Sequence, residues 1–187
     1  MEFLTALWLP ILLSGVFVFV VSSILHMLVP IHRSDHKRLP DEDGISEAMR
    51  TNGLQPGVYM FPFPGSMKEM QSPEMKVKYE RGPVGFMTIF PNGCPAIGKN
   101  LLQWFLYSIL ISIFVAYITW LVMVPDQHYM DVFRLTGSIA VMGYALSDLP
   151  SSIWKGQPWS TTAKFVFDGV LYGLVTAGTF AWLWPTT

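Results

Sequence analysis

Four long apolar blocks constrain this chain more than any other feature of its sequence. The first runs from about Leu7 to Val29 without a charged residue, and the second, LLQWFLYSILISIFVAYITWLVMV, runs from Leu101 to Val124. A hydrocarbon core about 30 Å thick requires roughly 20 apolar residues in a helix, so each block is long enough to cross a bilayer. The pattern predicts an all-α membrane protein whose transmembrane helices lie within residues 1–29, 101–124, 133–154 and 165–184.

The composition agrees with a membrane protein and argues against other classes. The chain is 51% hydrophobic and only 13% charged, whereas soluble domains average about 25% charged residues. A net charge of −1 does not favour a nucleic-acid partner. The lone cysteine, Cys94, excludes a disulfide within one chain. The expected partner is the lipid bilayer.

The third block is the weakest of the four, because it contains Arg134, Asp148 and Pro150. The placement of basic residues favours a span here. Nine of the twelve Lys and Arg residues lie between residues 30 and 100. Lys155 and Lys164 lie on the same side of the membrane as these nine only if the third block crosses it. Basic residues near spans favour the cytoplasmic side. We therefore expect a cytoplasmic 30–100 loop and both termini in the periplasm.

Residues 30–100 are patterned like a small α+β cap between the first two spans. PDEDGISEAMR has acidic residues in its first turn and Arg50 in its last, which predicts a short helix. A second helix is predicted from Ser72 as N-cap and Pro73 at the first position, with Gly82 as its stop. VYMF and VGFMTIF are β-prone, so one pair of strands is also expected.

Three histidines flank the end of the first block, and they raise the possibility of a metal site. On a helix, His32, Asp35 and His36 would share one face, a workable geometry for a first-row metal. The neighbouring cations, Arg33, Lys37 and Arg38, would repel a metal ion, and a solvated segment at lipid phosphates is the alternative. We expect the latter, with no metal and no cofactor.

Polar residues are expected at the cytoplasmic end of every span. His26, Gln103, Asp148 and Asp168 would lie in the same leaflet. An ionisable side chain in a span usually faces the bundle interior or a wet cavity. Three interpretations remain open: pairing of Asp168 with Lys164 one turn away and a wet interface at Asp148, a proton or ion relay, or a network that only fixes helix register.

The fourth block also carries a helix-packing signal. Gly169, Gly173 and Ala177 follow one another at four-residue spacing. Such a stripe of small residues allows another helix to approach closely. Packing within the bundle is favoured over a homodimer contact.

Several segments resemble a family of small bacterial inner-membrane proteins that has no assigned activity. The similarity rests on LPDED, GPVGFMTIFPNG, FRLTG and the final SIWKGQPWSTTAKFVFDGVLYGLVTAGTFAWLWP. The resemblance implies a bacterial protein with four spans. It implies no reaction, so it assigns no catalytic residues.

The sequence supports two functional hypotheses of different classes. The favoured one is a non-enzymatic accessory or scaffold subunit that packs against other membrane-protein subunits. The alternative is a small transporter or proton-coupled channel that uses the polar residues of the inner leaflet. A metal or haem redox subunit ranks third, because His26 is the only histidine within a predicted span.

Overall fold

The computed structural model describes residues 2–186, which form two compact units. Residues up to 35, 96–152 and those from 157 onward form a helical unit, and residues 36–95 with 153–156 form a second unit. The elements are α1 (Glu2–Ala6), α2 (Trp8–Met27), α3 (Glu42–Thr51), β1 (Gly57–Phe61), α4 (Met67–Met70), α5 (Pro73–Arg81), β2 (Gly85–Ile89), α6 (Ile97–Val122), α7 (Tyr129–Tyr144), α8 (Leu149–Lys155) and α9 (Trp159–Trp182). Short 3-10 helices cover Pro30–Ser34 and Leu146–Asp148.

Among residues 2–186, three helices are long and apolar enough to cross a bilayer: α2, α6 and α9. Their outward side chains are apolar, as contact with lipid requires. On α2 and α6 the exposed residues include Leu12, Phe17, Val20, Ile24, Leu102, Leu106, Leu110 and Phe114. In water, a contiguous apolar surface of this kind marks an association site. The chain is an integral membrane protein by these criteria.

The helical unit is a bundle of α2, α6, α7 and α9, in which neighbours run antiparallel. At one end, the indole Nε1 of Trp104 donates to Ser22 Oγ over 2.8 Å, which joins the end of α2 to the start of α6. At the other end, Trp184 Nε1 donates to the Val124 carbonyl over 3.0 Å. The end of α2, the start of α6, the end of α7 and the start of α9 therefore meet at one end of the bundle.

The α7 and α9 helices pack closely against each other, because small residues line their contact. A Cβ added to Gly169 would lie 2.5 Å from Ala145 Cα, and one added to Gly137 would lie 3.1 Å from the Ala177 Cβ. At Gly173 an added Cβ would lie 3.0 Å from the backbone nitrogen of Val141. The small-residue stripe thus lies against α7, where the absence of side chains lets the two backbones approach.

Buried hydroxyl groups fill much of the bundle interior. Ser112, Thr136, Thr176 and Thr179 each donate to the carbonyl four residues earlier on their own helix. A hydroxyl that bonds its own helix is small and internally satisfied, so it can be buried between helices at low cost. These residues serve packing.

The second unit contains the small hairpin expected from the sequence. β1 and β2 pair antiparallel, with Gly57 opposite Ile89 and Phe61 opposite Gly85. In α5 the Ser72 hydroxyl accepts from the Met75 amide, as an N-cap does, and the helix ends at Gly82 with φ of 61°. Only a residue that tolerates positive φ ends a helix in this way.

The third predicted span is not one continuous helix. α7 starts at Tyr129 and ends at Tyr144, and the chain then passes through the 3-10 helix into α8. Pro150 explains the interruption: it has no amide hydrogen for the Leu146 carbonyl, so the α-helical bonding pattern cannot continue across it. The fourth helix, α9, begins at Trp159, directly after Pro158, and so starts six residues before the predicted span at 165–184.

Candidate functional site

A cluster of ionisable side chains lies where α2 ends and α9 begins. His26 occupies the last turn of α2, and the 3-10 helix after it carries His32 back toward α9. Asp168 is only 1% exposed. The cluster thus joins His32 to Asp168, which follows it by 136 positions in the chain.

His32 lies between two carboxylates. Its Nδ1 is 2.6 Å from Asp35 Oδ2, and its Nε2 is 2.8 Å from Asp168 Oδ2. The His32 side chain is 12% exposed, so solvent reaches little of it. Because ionised carboxylates only accept hydrogen bonds, a neutral imidazole can satisfy one of these contacts but not both.

His26 approaches the same oxygen of Asp168 from α2. Its Nδ1 lies 3.0 Å from the Ser22 carbonyl, and since a carbonyl cannot donate, Nδ1 carries the hydrogen. Its Nε2 lies 3.8 Å from Asp168 Oδ2. The His26 and His32 rings stack with centroids 4.4 Å apart and planes 5° from parallel. Both histidines therefore turn their Nε2 atoms toward one buried carboxylate.

Lys164 anchors the far side of the cluster. Its Nζ donates to Asp35 Oδ1 over 2.6 Å and to Ser34 Oγ over 2.8 Å. Burial alone would raise the pKa of Asp35, but the hydrogen bonds from Lys164 and His32 outweigh it and hold that pKa below its usual value. Asp35 is therefore a carboxylate at neutral pH, fixed by two partners.

A cavity of about 630 Å³ adjoins the cluster. Aromatic residues form much of its wall: Trp104, Tyr107, Tyr144, Phe165 and Tyr172. Two polar atoms in its lining residues, Asp168 Oδ1 and the Tyr172 hydroxyl, are buried without a hydrogen-bond partner among residues 2–186. Buried polar atoms are rarely left unpaired, so these two atoms are unmet hydrogen-bonding groups at the cavity.

One edge of the cavity is apolar and accessible. Met27 is 80% exposed and Ile97 is 65% exposed, and both line the cavity together with Leu101. An apolar rim of this kind suits access for a molecule dissolved in lipid more than for a hydrophilic one.

Asp148 lies at the same cavity but in a separate hydrogen-bond group. Its Oδ2 accepts from Gln157 Nε2 over 2.7 Å, and the same nitrogen lies 2.8 Å from Thr162 Oγ1. The 3-10 helix after α7 is in this way joined to the first turn of α9.

The structure places the residues singled out from the sequence in different ways. His26, Asp148 and Asp168 line one cavity, whereas Gln103 is exposed and does not line it. His36 is exposed and lies outside the cluster, so the shared face of His32, Asp35 and His36 that was considered as a possible metal site is not formed. His32 and Asp35 do not lie in a solvated segment, since the Asp35 side chain is only 4% exposed.

One expected pairing is wrong. Lys164 does not pair with Asp168 one turn along α9; it pairs with Asp35. The 3-10 helix brings Asp35 within reach of the Lys164 ammonium, while Asp168 faces the two histidines. Three aromatic residues of the site, Trp104, Tyr144 and Tyr172, were not predicted from the sequence, because no local pattern separates them from the other aromatic residues of these helices.

Comparisons with protein-family models, with curated proteins and with solved structures found no match for this chain. The assignment of a multi-span integral membrane protein therefore rests on its own sequence and structure. Any proposal about its function rests on the geometry of the cluster and the cavity.

Proposed function

We propose that this protein binds an amphipathic small molecule from the bilayer in the aromatic cavity of its bundle. The observation that carries the proposal is the pair of unpartnered, buried polar atoms at the cavity, Asp168 Oδ1 and the Tyr172 hydroxyl. A ligand with a hydrogen-bond donor on a flat apolar body would satisfy both atoms and fill the space between the aromatic rings.

The chemistry of the lining suggests the ligand class. The Tyr172 ring meets those of Trp104 and Tyr144 edge to face, with centroids 5.7 Å apart in both pairs, an arrangement that accepts another aromatic ring. Asp168 can only accept when ionised, so the ligand must bring a hydroxyl or amine to it. Lipid-soluble phenols and quinols have both an aromatic ring and a hydroxyl donor. Their apolar tail would contact the exposed apolar rim of the cavity.

The proposed membrane arrangement has four spans. α7 alone has 16 residues, about 24 Å at 1.5 Å per residue, so the third crossing requires the 3-10 helix and α8 as well. With four crossings, the basic residues favour a cytoplasmic 30–100 segment and periplasmic termini, in a bacterial inner membrane.

Ligand binding ranks above a scaffold role because of where the small residues lie. Gly169 and Gly173 already contact α7 closely, so that stripe does not offer a surface to another subunit. A partner would have to use the second unit or the lipid-facing surface. A transport function would use the same cluster. Because the cluster lies at one end of the bundle, it would serve as the site at which a transported molecule first binds.

A cavity-filling substitution tests the proposal. Ser23 lines the cavity and donates to the Phe19 carbonyl, and Ser138 makes the equivalent bond to Arg134 on an exposed face. Ser23→Phe should block the cavity, and Ser138→Phe is the matched control. The probe is a decyl-substituted benzoquinol, titrated calorimetrically into protein in lipid nanodiscs.

Saturable binding by the wild-type protein and the control is expected, with affinity at least tenfold lower for Ser23→Phe. Wild-type heats no larger than those of empty nanodiscs would contradict the proposal. Equal binding by all three proteins would contradict it as well.

A further inference from the structure

The two histidines of the cluster are held in the way that metal-ligating histidines are held. Such histidines usually donate their second ring nitrogen to a carboxylate or a backbone carbonyl, which fixes the tautomer and aims the other nitrogen at the metal. Here His32 Nδ1 meets Asp35 and His26 Nδ1 meets the Ser22 carbonyl. Both supporting contacts are present: one comes from the residue that follows the 3-10 helix and the other from α2 itself.

This support leaves the same atom free on each ring. With Nδ1 protonated, a neutral imidazole has its lone pair on Nε2. Both Nε2 atoms face Asp168 Oδ2, at 3.8 Å and 2.8 Å. Two lone pairs directed at a carboxylate oxygen repel one another unless a cation or a proton lies among them. A proton or a metal ion at this point removes the repulsion.

We propose that His26, His32 and Asp168 bind a divalent transition-metal ion, with Zn²⁺ as the principal candidate. The ligands are the two Nε2 atoms and the Asp168 carboxylate, and the candidate donor atoms all lie within 4.8 Å of one another. Zinc bonds of about 2.0–2.1 Å to nitrogen and oxygen place tetrahedral ligand atoms about 3.3 Å apart. The two distances to Asp168 Oδ2 lie on either side of that value.

The local charge tolerates a divalent cation. Asp35 and Asp168 supply two negative charges and Lys164 supplies one positive charge, which leaves one net negative charge when the histidines are neutral. The Lys164 charge is directed at Asp35 rather than at the proposed metal position. The repulsion expected from Arg33, Lys37 and Arg38 is also reduced, because these side chains are exposed to screening solvent.

The position of His26 distinguishes a metal from a simple ion pair. A doubly protonated His32 between Asp35 and Asp168 would satisfy its own two contacts. It would give no role to His26, whose Nε2 also faces Asp168 Oδ2. A metal ion with three protein ligands uses both histidines and keeps an open position for water or a ligand. Because the carboxylate and His26 also line the cavity, that position is accessible from it.

The test uses protein without a polyhistidine tag, stripped of metal with a chelator and then desalted. One sample receives Zn²⁺ and is measured by elemental analysis and by titration against a competing chelator. A second sample receives Co²⁺, whose visible d–d absorption reports the number and type of its ligands. Neither measurement includes the benzoquinol probe, so the metal site is tested separately from ligand binding in the cavity.

The variants are His26→Ala, Asp168→Asn and Asp35→Asn, with His36→Ala as the control from the same segment. One equivalent of Zn²⁺ is expected in the wild-type protein and the control. Affinity should fall at least tenfold in the first two variants, and by about 10- to 100-fold in Asp35→Asn, the range typical of residues that orient a ligand. The His26 side chain is 42% exposed, so its removal should leave the fold intact.

Two outcomes would overturn the inference. One is a wild-type protein that binds less than about half an equivalent of Zn²⁺ and gives no Co²⁺ d–d spectrum; this measurement requires no variant. The other is a loss of Zn²⁺ affinity that is equal in His26→Ala and His36→Ala. If metal binding fails while Ser23→Phe still blocks the benzoquinol probe, only this inference falls and the proposed function stands.

Discussion

Lys164 lies 2.6 Å from Asp35, 129 residues earlier in the chain. This ion pair ties the segment after α2 to the start of α9, and it holds the carboxylate against which His32 is oriented. The Asp35 side chain is 4% exposed and that of Lys164 is 25% exposed. An ion pair this protected from water is screened less than one on the surface.

A double-mutant cycle on Asp35→Ala and Lys164→Ala should therefore give a measurable coupling energy. We expect about 1–2 kcal/mol, within the range for contacting residues in one network. The measurement is reversible unfolding in denaturing detergent, with chelator present so that metal does not contribute.

The exposed pair Arg38 and Glu42, at 87% and 58% exposure, is the control for that cycle. Its coupling should be about 0.2–0.5 kcal/mol, as for other solvated pairs. Equal coupling in the two pairs would show that Asp35 and Lys164 are not held as the structure has them.

Gly169 and Gly178 offer a matched comparison within α9. A Cβ at Gly169 would meet the backbone of Ala145, whereas nothing lies within 4 Å of a Cβ at Gly178. Gly169→Ala should lower the free energy of unfolding by about 1–3 kcal/mol, the cost of overpacking a close contact. Gly178→Ala should leave it unchanged or raise it by up to about 1 kcal/mol, because alanine is the better helix former. Similar losses at both positions would argue against the close α7–α9 contact.

The membrane-spanning helices could be predicted from the sequence, and the cluster at their end could not. A run of apolar residues such as Leu101–Val124 is a local property, and so are the capping signals at Ser72 and Gly82. The choice of Asp35 rather than Asp168 as the partner of Lys164 is a tertiary property. It depends on the direction in which the 3-10 helix turns after Pro30, which no local pattern encodes.

The side of the membrane on which each connecting segment lies shows whether the third segment crosses the membrane. In a bacterial host, a reporter fused near Gly65 should be cytoplasmic. Reporters placed at residue 127 and after Thr187 should both be periplasmic, because α7, the 3-10 helix and α8 together complete one crossing. Alkaline phosphatase activity reports the periplasmic positions, and a fluorescent protein reports the cytoplasmic one. A fusion after Thr187 on the cytoplasmic side would reduce the number of spans to three.

Asp148 should stabilise the bundle through Gln157. The amide of Gln157 donates to Asp148 Oδ2 and lies within hydrogen-bond distance of Thr162 Oγ1, so it joins the end of the third segment to α9. Asp148→Ala removes one acceptor from a partly buried donor and should lower the free energy of unfolding by about 1 kcal/mol, a typical value for polar contacts between membrane helices. Asp148→Asn retains a carbonyl acceptor and should lose less stability.

The control is Asp131, whose side chain is 53% exposed and lies 4.0 Å from Arg134. Asp131→Ala should change the free energy of unfolding by less than about 0.5 kcal/mol. Detergent unfolding of the three variants in parallel gives the comparison. If Asp148→Ala is as mild as Asp131→Ala, Gln157 does not hold the two elements together, and the carboxylate instead faces water at the cavity.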